Sequence, residues 1–304
     1  MVNLSVKIGK LKLKNPVMVA SGTWGIECEE LSGLDSLGAI VLKTITLKKR
    51  VGNPAPRIAE TASGILNSIG LENKGLEDFI KNKLPAFDKV NSPLVASIAG
   101  DDDVEFKELA VRLGRIKRVD ALELNLSCPN IKYGLNEGLI AHDAKATYKV
   151  VKAVRGATPI TVIAKLSPNV TSVAEIAKAA EAAGADAVAL TNTFIGMAVD
   201  IDTKRPKLGN VTGGLSGPAI KPLSLRAVWE AYKEIGIPIV GMGGIMDAAD
   251  AIEFMLCGAR AVQVGTANFV NPKAPVEIVS GIKKYMAGHK IKDASSLVGA
   301  LKLG

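Results

Sequence analysis

The chain has 304 residues, 48% hydrophobic and only 4% aromatic, enough to bury a large core without disulfide or metal staples. Cys28, Cys128 and Cys257 form no C-x-x-C pair, which argues against a disulfide framework, a zinc centre or an iron–sulfur cluster held by this chain alone. The net charge of +8 is diffuse, densest at "LKKR" (47–50), with no basic stripe interleaved with aromatics; a nucleic-acid-binding surface is excluded, and small anionic ligands remain.

The opening "MVNLSVKIGKLKLKNPVMVA" has no signal-type apolar run, and no stretch reaches the roughly 18 apolar residues of a membrane span. A soluble protein in the reducing cytoplasm is expected. "LSVKIGKLKLKNP" reads as a hairpin turning at Gly9-Lys10. Short apolar runs then recur at residues 17–20, 39–43, 94–98, 121–126, 160–166, 187–191, 238–242 and 261–265. Near-continuous apolar strands fit a parallel sheet covered by helices. Between them the spacing is helical. In "TSVAEIAKAAEAAG", Ser172 and Glu175 form a capping-box pattern ahead of the apolar face Val173, Ile176, Ala177 and Ala180, and Gly184 ends the run. "DAADAIEFMLCG" repeats that logic from Asp247 to Gly258.

Eight strands alternating with helices predict an α/β fold of the (β/α)₈ TIM-barrel type rather than an open doubly wound sheet. Two connections exceed plain barrel loops. Residues 44–92 hold one helix at 75–83, and residues 192–221 form a charged, Pro/Gly-rich excursion. Both follow strands, so both belong on the C-terminal face, where barrels carry their sites. No linker divides the chain, and residues 1–304 are read as one domain.

Three groups of residues point to a ligand at that face. "GMGGI" (241–245) and "VGTANF" (264–269) follow the last two strands, where small residues let backbone N–H groups approach a phosphate. Gly243, Gly244, Gly265 and Thr266 are the candidates, and the spacing is not that of a dinucleotide fingerprint. Lys43 ends the second strand, and Lys165 lies within the apolar "VIAKLSP". A charge there is costly unless it is paired or faces a ligand. Asn67, Asn125, Asn130 and Asn192 fall at strand ends or adjoining loops, and each can donate to and accept from a flat ligand edged with carbonyl and N–H groups.

Cys128 follows the fourth strand directly, before Pro129. A buried thiol is often inert, but one placed at the catalytic face can accept a proton if its pKa is tuned. His142, at a helix start, and His289, near the C-terminus, suggest no Ser-His-Asp arrangement. Cys28 and Cys257 fit structural helix positions.

"ASGTWG" (20–25), "LKTIT" (42–46), "LNSIGLEN" (66–73), "NLSCPN" (125–130), "TNT" (191–193), "GGLSGPAIKP" (213–222), "GMGGI" and "VGTANF" occur in one order along the chain. In that order the sequence resembles the class 1 dihydroorotate dehydrogenases. The resemblance implies an FMN-bearing barrel that oxidises dihydroorotate to orotate in pyrimidine biosynthesis, hydride passing to flavin N5 and the C5 proton to Cys128. It puts Lys43, Asn67, Ser68, Ile69, Gly70, Leu71, Asn125, Asn192 and Thr193 on the substrate. It puts Ser21, Lys43, Thr44, Asn125, Lys165, Thr191, Gly217, Gly243, Gly244, Gly265 and Thr266 on FMN. Ser97 stands where the NAD-linked subclass often carries Asn, and a serine there still offers a hydrogen bond. Cysteine at 128 and the absence of an N-terminal membrane helix match class 1. "CPNIKYGLNEG" is similar to the NAD-linked 1B catalytic subunit rather than the fumarate-using 1A enzyme. That implies a homodimeric catalytic core in a heterotetramer whose partner subunit carries FAD and a [2Fe–2S] cluster. A non-redox barrel lyase binding phosphate through the same glycines, or a flavin-binding module without catalysis, are the alternatives from other classes.

Overall fold

The computed structural model describes residues 2–24, 33–127 and 140–304. Its centre is a closed barrel of eight parallel strands. These are β1 (Val17–Val19), β2 (Ala39–Val41), β3 (Leu94–Ile98), β4 (Ala121–Asn125), β5 (Thr161–Lys165), β6 (Ala187–Leu190), β7 (Ile239–Met242) and β8 (Ala259–Val264). Each pairs with its neighbour in sequence, and β8 closes on β1 with Val262 opposite Val17. All eight fall on the predicted apolar runs. The strands are buried on both faces, which is why they show no polar alternation.

Helices α1 (Asp103–Leu113), α2 (Ala144–Ala157), α3 (Val173–Ala182), α4 (Lys221–Tyr232), α5 (Ala248–Leu256) and α6 (Ala274–Gly288) follow β3 to β8 in turn. Their starts obey the capping chemistry read from sequence. Ser172 Oγ accepts from the Glu175 N–H at 3.3 Å. Asp247 and Asp250 form a reciprocal capping box at α5. The expected helix at 75–83 becomes a longer, irregular helical segment, with a π turn at Phe79–Lys83 and a 3₁₀ turn at Leu84–Phe87. Pro85 has no N–H for a regular ladder.

The N-terminal hairpin, Val6–Ile8 with Leu11–Leu13, covers the bottom of the barrel. Its Lys10 N–H bonds Thr161 Oγ1 at the start of β5 at 3.0 Å, and Ile8 is fully buried. At the opposite end the two long excursions meet. Strands Ile58–Thr61 and Gly64–Asn67 come from the first, and Phe194–Met197 and Thr212–Ser216 from the second; together they form one four-stranded antiparallel sheet. The sheet stands beside the C-terminal ends of the barrel strands and walls the cavity described next. Among the described residues, no helix is long and apolar enough to cross a membrane.

Candidate active site

A cavity of about 420 Å³ opens at the C-terminal end of the barrel, within the size range of small-molecule and cofactor sites. Every barrel strand except β3 sends it a residue from its C-terminal end or the following loop. Lys165 and Asn125, the last residues of β5 and β4, lie at its base, each 5% exposed. Lys165 Nζ bonds Ser21 Oγ at 3.3 Å and lies 3.6 Å from Glu123 Oε1.

Asn125 is held from two sides. Its Nδ2 donates to Thr44 Oγ1 at 3.2 Å, and its Oδ1 accepts from Asn192 Nδ2 at 3.3 Å. The same Asn192 Nδ2 reaches Ser127 O at 3.2 Å and Ser127 Oγ at 2.9 Å. Asn192 thereby ties the residue bonded to Cys128 to the cavity wall. Cys128 and Asn130 lie outside the described residues, as does Cys28. Thr193 donates its N–H to Asn192 Oδ1 at 2.8 Å, and Thr191 Oγ1 is 3.1 Å from Ser224 Oγ.

Gly217, Gly243, Gly244, Gly265 and Thr266 line one side of the cavity, and Thr266 Oγ1 donates to Ser216 Oγ at 2.8 Å. Gly243 has φ +118°, and a Cβ there would sit 2.2 Å from Ser224 Oγ. Only glycine permits this backbone to pass so close to the α4 side chain. The outer wall is Asn67, Ile69, Gly70 and Leu71, with Ile58 and Ile65 from the antiparallel sheet. Lys43 is exposed and also lines the cavity. The remaining charged lining residue, Glu72, is paired with Arg57 at 2.6 Å, so the balance favours an anionic ligand.

Two of the sequence candidates stand behind the wall rather than on it. Ser97 is fully buried, and its Oγ lies 2.9 Å from Thr44 Oγ1, so it supports the hydroxyl that holds Asn125. Ser68 is also fully buried; its Oγ accepts from Asn53 Nδ2 at 2.9 Å and its N–H bonds Arg57 O at 2.7 Å. Sequence reasoning missed Gln263 and Glu123 at the base, and Ile58, Ile65 and Phe269 at the walls. For Gln263 and Glu123 a signal existed: a polar residue inside an apolar strand, as in "AVQVG" and "ALELNL".

His142 ends a short 3₁₀ turn, Ile140–His142, ahead of α2. Its Nε2 lies 3.3 Å from Ser167 Oγ, which accepts from the Asn169 N–H at 3.1 Å; Asn169 Nδ2 in turn donates to Thr193 O at 3.1 Å. Burial holds the imidazole below its ordinary 6.5. The unfolded chain therefore takes up this proton more readily than the folded one. The contribution is fully present above the unfolded value and is lost as pH falls through the folded value. His142→Gln should accordingly flatten the fall in stability below pH 6.5, measured by urea unfolding at several pH values. An unchanged slope would remove His142 from the acid response.

A family model described as dihydroorotate dehydrogenase matches residues 3–286. The chain is 52% identical to a protein of Trichlorobacter lovleyi, over 98% of both chains, named dihydroorotate dehydrogenase B (NAD(+)), catalytic subunit. Proteins of the same name from Desulforamulus reducens and Bacteroides fragilis are 51% and 47% identical, over 99% and 100% of both chains. Among solved structures, the DHODH of Eimeria tenella in complex with ferulenol superposes with a TM-score of 0.81 at 25% identity, covering 98% of this chain and 88% of that one. With its closed barrel and a match spanning nearly all its length, this chain belongs to the dihydroorotate dehydrogenase family.

Proposed function

We propose that residues 1–304 act as one FMN-binding domain, the catalytic subunit of an NAD-linked dihydroorotate dehydrogenase that oxidises dihydroorotate to orotate in pyrimidine biosynthesis. The observation that carries this reading is convergence. The lysine, the amides and the glycine shoulder come from strand ends scattered along the chain, and they line a single cavity.

The cavity suits FMN on its own chemistry. Gly243, with φ +118°, forms a shoulder without side chains beside Gly244, Gly265 and Thr266, fit for a phosphate. Lys165 supplies a buried cation at the base, where negative charge would gather on a reduced ring. Gln263 lines the same base, and its Oε1 has no hydrogen-bond partner among the described residues. A buried acceptor of this kind calls for a donor from a ligand or an ordered water. When bound, the flavin would supply a two-electron acceptor for the C6 hydride of the substrate.

The remaining work falls to the chain. The C5–H bond breaks with its electron pair forming the C5=C6 double bond, and we assign the released proton to the Cys128 thiolate. Asn67, Asn125, Asn192 and Thr193 offer the donors and acceptors that a pyrimidine ring requires. Lys43 supplies positive charge for the substrate carboxylate. Ile58, Ile65 and Met242 give the cavity apolar lining, which limits water and strengthens those polar contacts. Onward electron transfer is assigned to a partner subunit carrying FAD and [2Fe–2S], on a homodimeric catalytic core in the cytoplasm. The relatives' shared name and the lack of any C-x-x-C pair here support that division of labour.

Anaerobic mixing with dihydroorotate, followed by re-oxidation, tests the whole reading. Bleaching of a bound flavin and re-oxidation by NAD only when the partner is present is the expected result. A colourless protein that takes up no FMN would favour a non-redox barrel. Fast turnover with fumarate alone would reassign the chain to the stand-alone 1A type.

A further inference from the structure

Barrel interiors are ordinarily packed with branched aliphatic side chains, but beneath this cavity the filling is polar. Glu123 on β4 is fully buried and Gln263 on β8 is 1% exposed. β4 and β8 stand opposite one another in the ring of strands. The 2.6 Å bond from Gln263 Nε2 to Glu123 Oε2 therefore spans the barrel. The other carboxylate oxygen, Oε1, makes no hydrogen bond; its ion-pair partner is Lys165 Nζ at 3.6 Å. That ammonium bonds in turn to Ser21 Oγ at 3.3 Å, a residue of the cavity lining.

Neither charge is tenable alone at this depth. Burial drives an isolated lysine towards the neutral amine and an isolated carboxyl towards the neutral acid. Paired, they can both remain ionised. The Gln263 amide occupies Oε2, which leaves Oε1 to serve the ammonium. The other polar groups around the base, Ser21, Thr44, Asn125 and Thr191, carry no charge at neutral pH. Lys43 and Glu72 are the other charged side chains on the cavity lining, and Glu72 is already paired with Arg57.

We propose that Glu123, braced across the barrel by Gln263, is the counter-ion that holds Lys165 protonated beneath the flavin and thereby sets how strongly the site favours the reduced cofactor. This role rests on the FMN reading above. Glu123 is a positioning residue, acting on the cofactor through Lys165.

The test is the midpoint potential of bound FMN across about pH 5 to 9 in wild type, Glu123→Gln and Glu123→Asp, a range that spans the titration of buried lysines without a counter-ion. In Glu123→Gln the curve should gain a break and cross the wild-type curve. Below the break Lys165 keeps its charge with no carboxylate to offset it. The two-electron equilibrium then lies at least tenfold further towards reduced flavin, about 30 mV more positive. Above the break Lys165 is neutral, and the equilibrium should shift at least tenfold the other way. Glu123→Asp keeps the charge and should run parallel to wild type without a break.

Parallel curves for Glu123→Gln and wild type would overturn the proposal, as would a break that survives in the Glu123→Gln/Lys165→Met double variant. If Glu123→Gln holds no flavin, Gln263→Leu decides. It releases Oε2 while leaving the ion pair, so the carboxylate loses support and should take up a proton at the acid end. There the potential should rise above wild type by less than in Glu123→Gln and without a crossing; an unchanged curve overturns the proposal. A wild-type protein that binds no FMN would instead refute the function proposed above, so the two failures are distinct.

Discussion

Replacing Cys128 by alanine should slow reduction of the bound flavin by dihydroorotate about 10²- to 10⁴-fold, the usual worth of a positioned general base, while FMN stays bound. Ser127, to which Cys128 is bonded, is fully buried, and its O and Oγ are both gripped by Asn192. That same amide holds Asn125 at the base of the cavity. Ser127 and the ligand-facing amides Asn125 and Asn192 are thus held as one unit, next in the chain to the residue proposed to take the proton. The rising limb of the pH–rate profile should disappear with the thiol, because no thiolate then forms. Stopped-flow absorbance under anaerobic conditions reads both effects. Reduction of the alanine variant at the wild-type rate would show that another group takes the proton.

The second large effect is expected at Lys165. Lys165→Met removes a charge-assisted contact worth about 1.5–3 kcal/mol, so FMN affinity should fall about 10- to 100-fold. It also strands Glu123 in the barrel interior, where breaking a buried pair costs about 3–5 kcal/mol. The sign of the pH dependence follows from the stranded group. An unpaired buried carboxyl holds its proton more tightly than the unfolded chain does. The stability deficit should therefore be largest at neutral pH and shrink as pH falls towards the unfolded carboxyl value of about 4.3. Adding Glu123→Gln to Lys165→Met should recover much of the loss, since no buried charge remains. Urea unfolding at several pH values and fluorescence titration with FMN measure the two quantities. Wild-type affinity together with wild-type stability would mean that Lys165 faces neither the flavin nor Glu123.

Much of the frame was open to reading because its causes are local. A parallel strand covered on both faces is a short apolar run, and a helix start is a side-chain oxygen three residues before an N–H. Hence the eight strands and the Ser172 and Asp247 caps stand where the pattern puts them. The cavity wall was another matter. Strand Gly64–Asn67 pairs with Thr212–Ser216, and nothing local announces it. The turn at Ala62-Ser63 lacks the Asn-Gly or Asp-Gly signal of a two-residue hairpin. Gly213 and Gly214 also weaken the partner strand's pattern. Gly214 is needed because a Cβ there would lie 2.0 Å from Thr193 Oγ1, a constraint that exists only once the chain is folded.

The same division runs through the site. Which residue types stand out as candidates (a lysine in an apolar strand, amides at strand ends, glycines after β7 and β8, a cysteine after β4) was determined by the sequence alone, because each is an exception to its local pattern. Which of them touch was decided by barrel closure. Ser97 and Ser68 carry suitable groups but stand behind the lining, turned to Thr44 and Asn53. Glu123 and Gln263, 140 residues apart, meet across the barrel. Strand order and register bring opposite strands face to face, and no window of sequence contains both. The identity of the chemistry is therefore a property of residues, whereas the charge balance under the cofactor is a property of the closed ring.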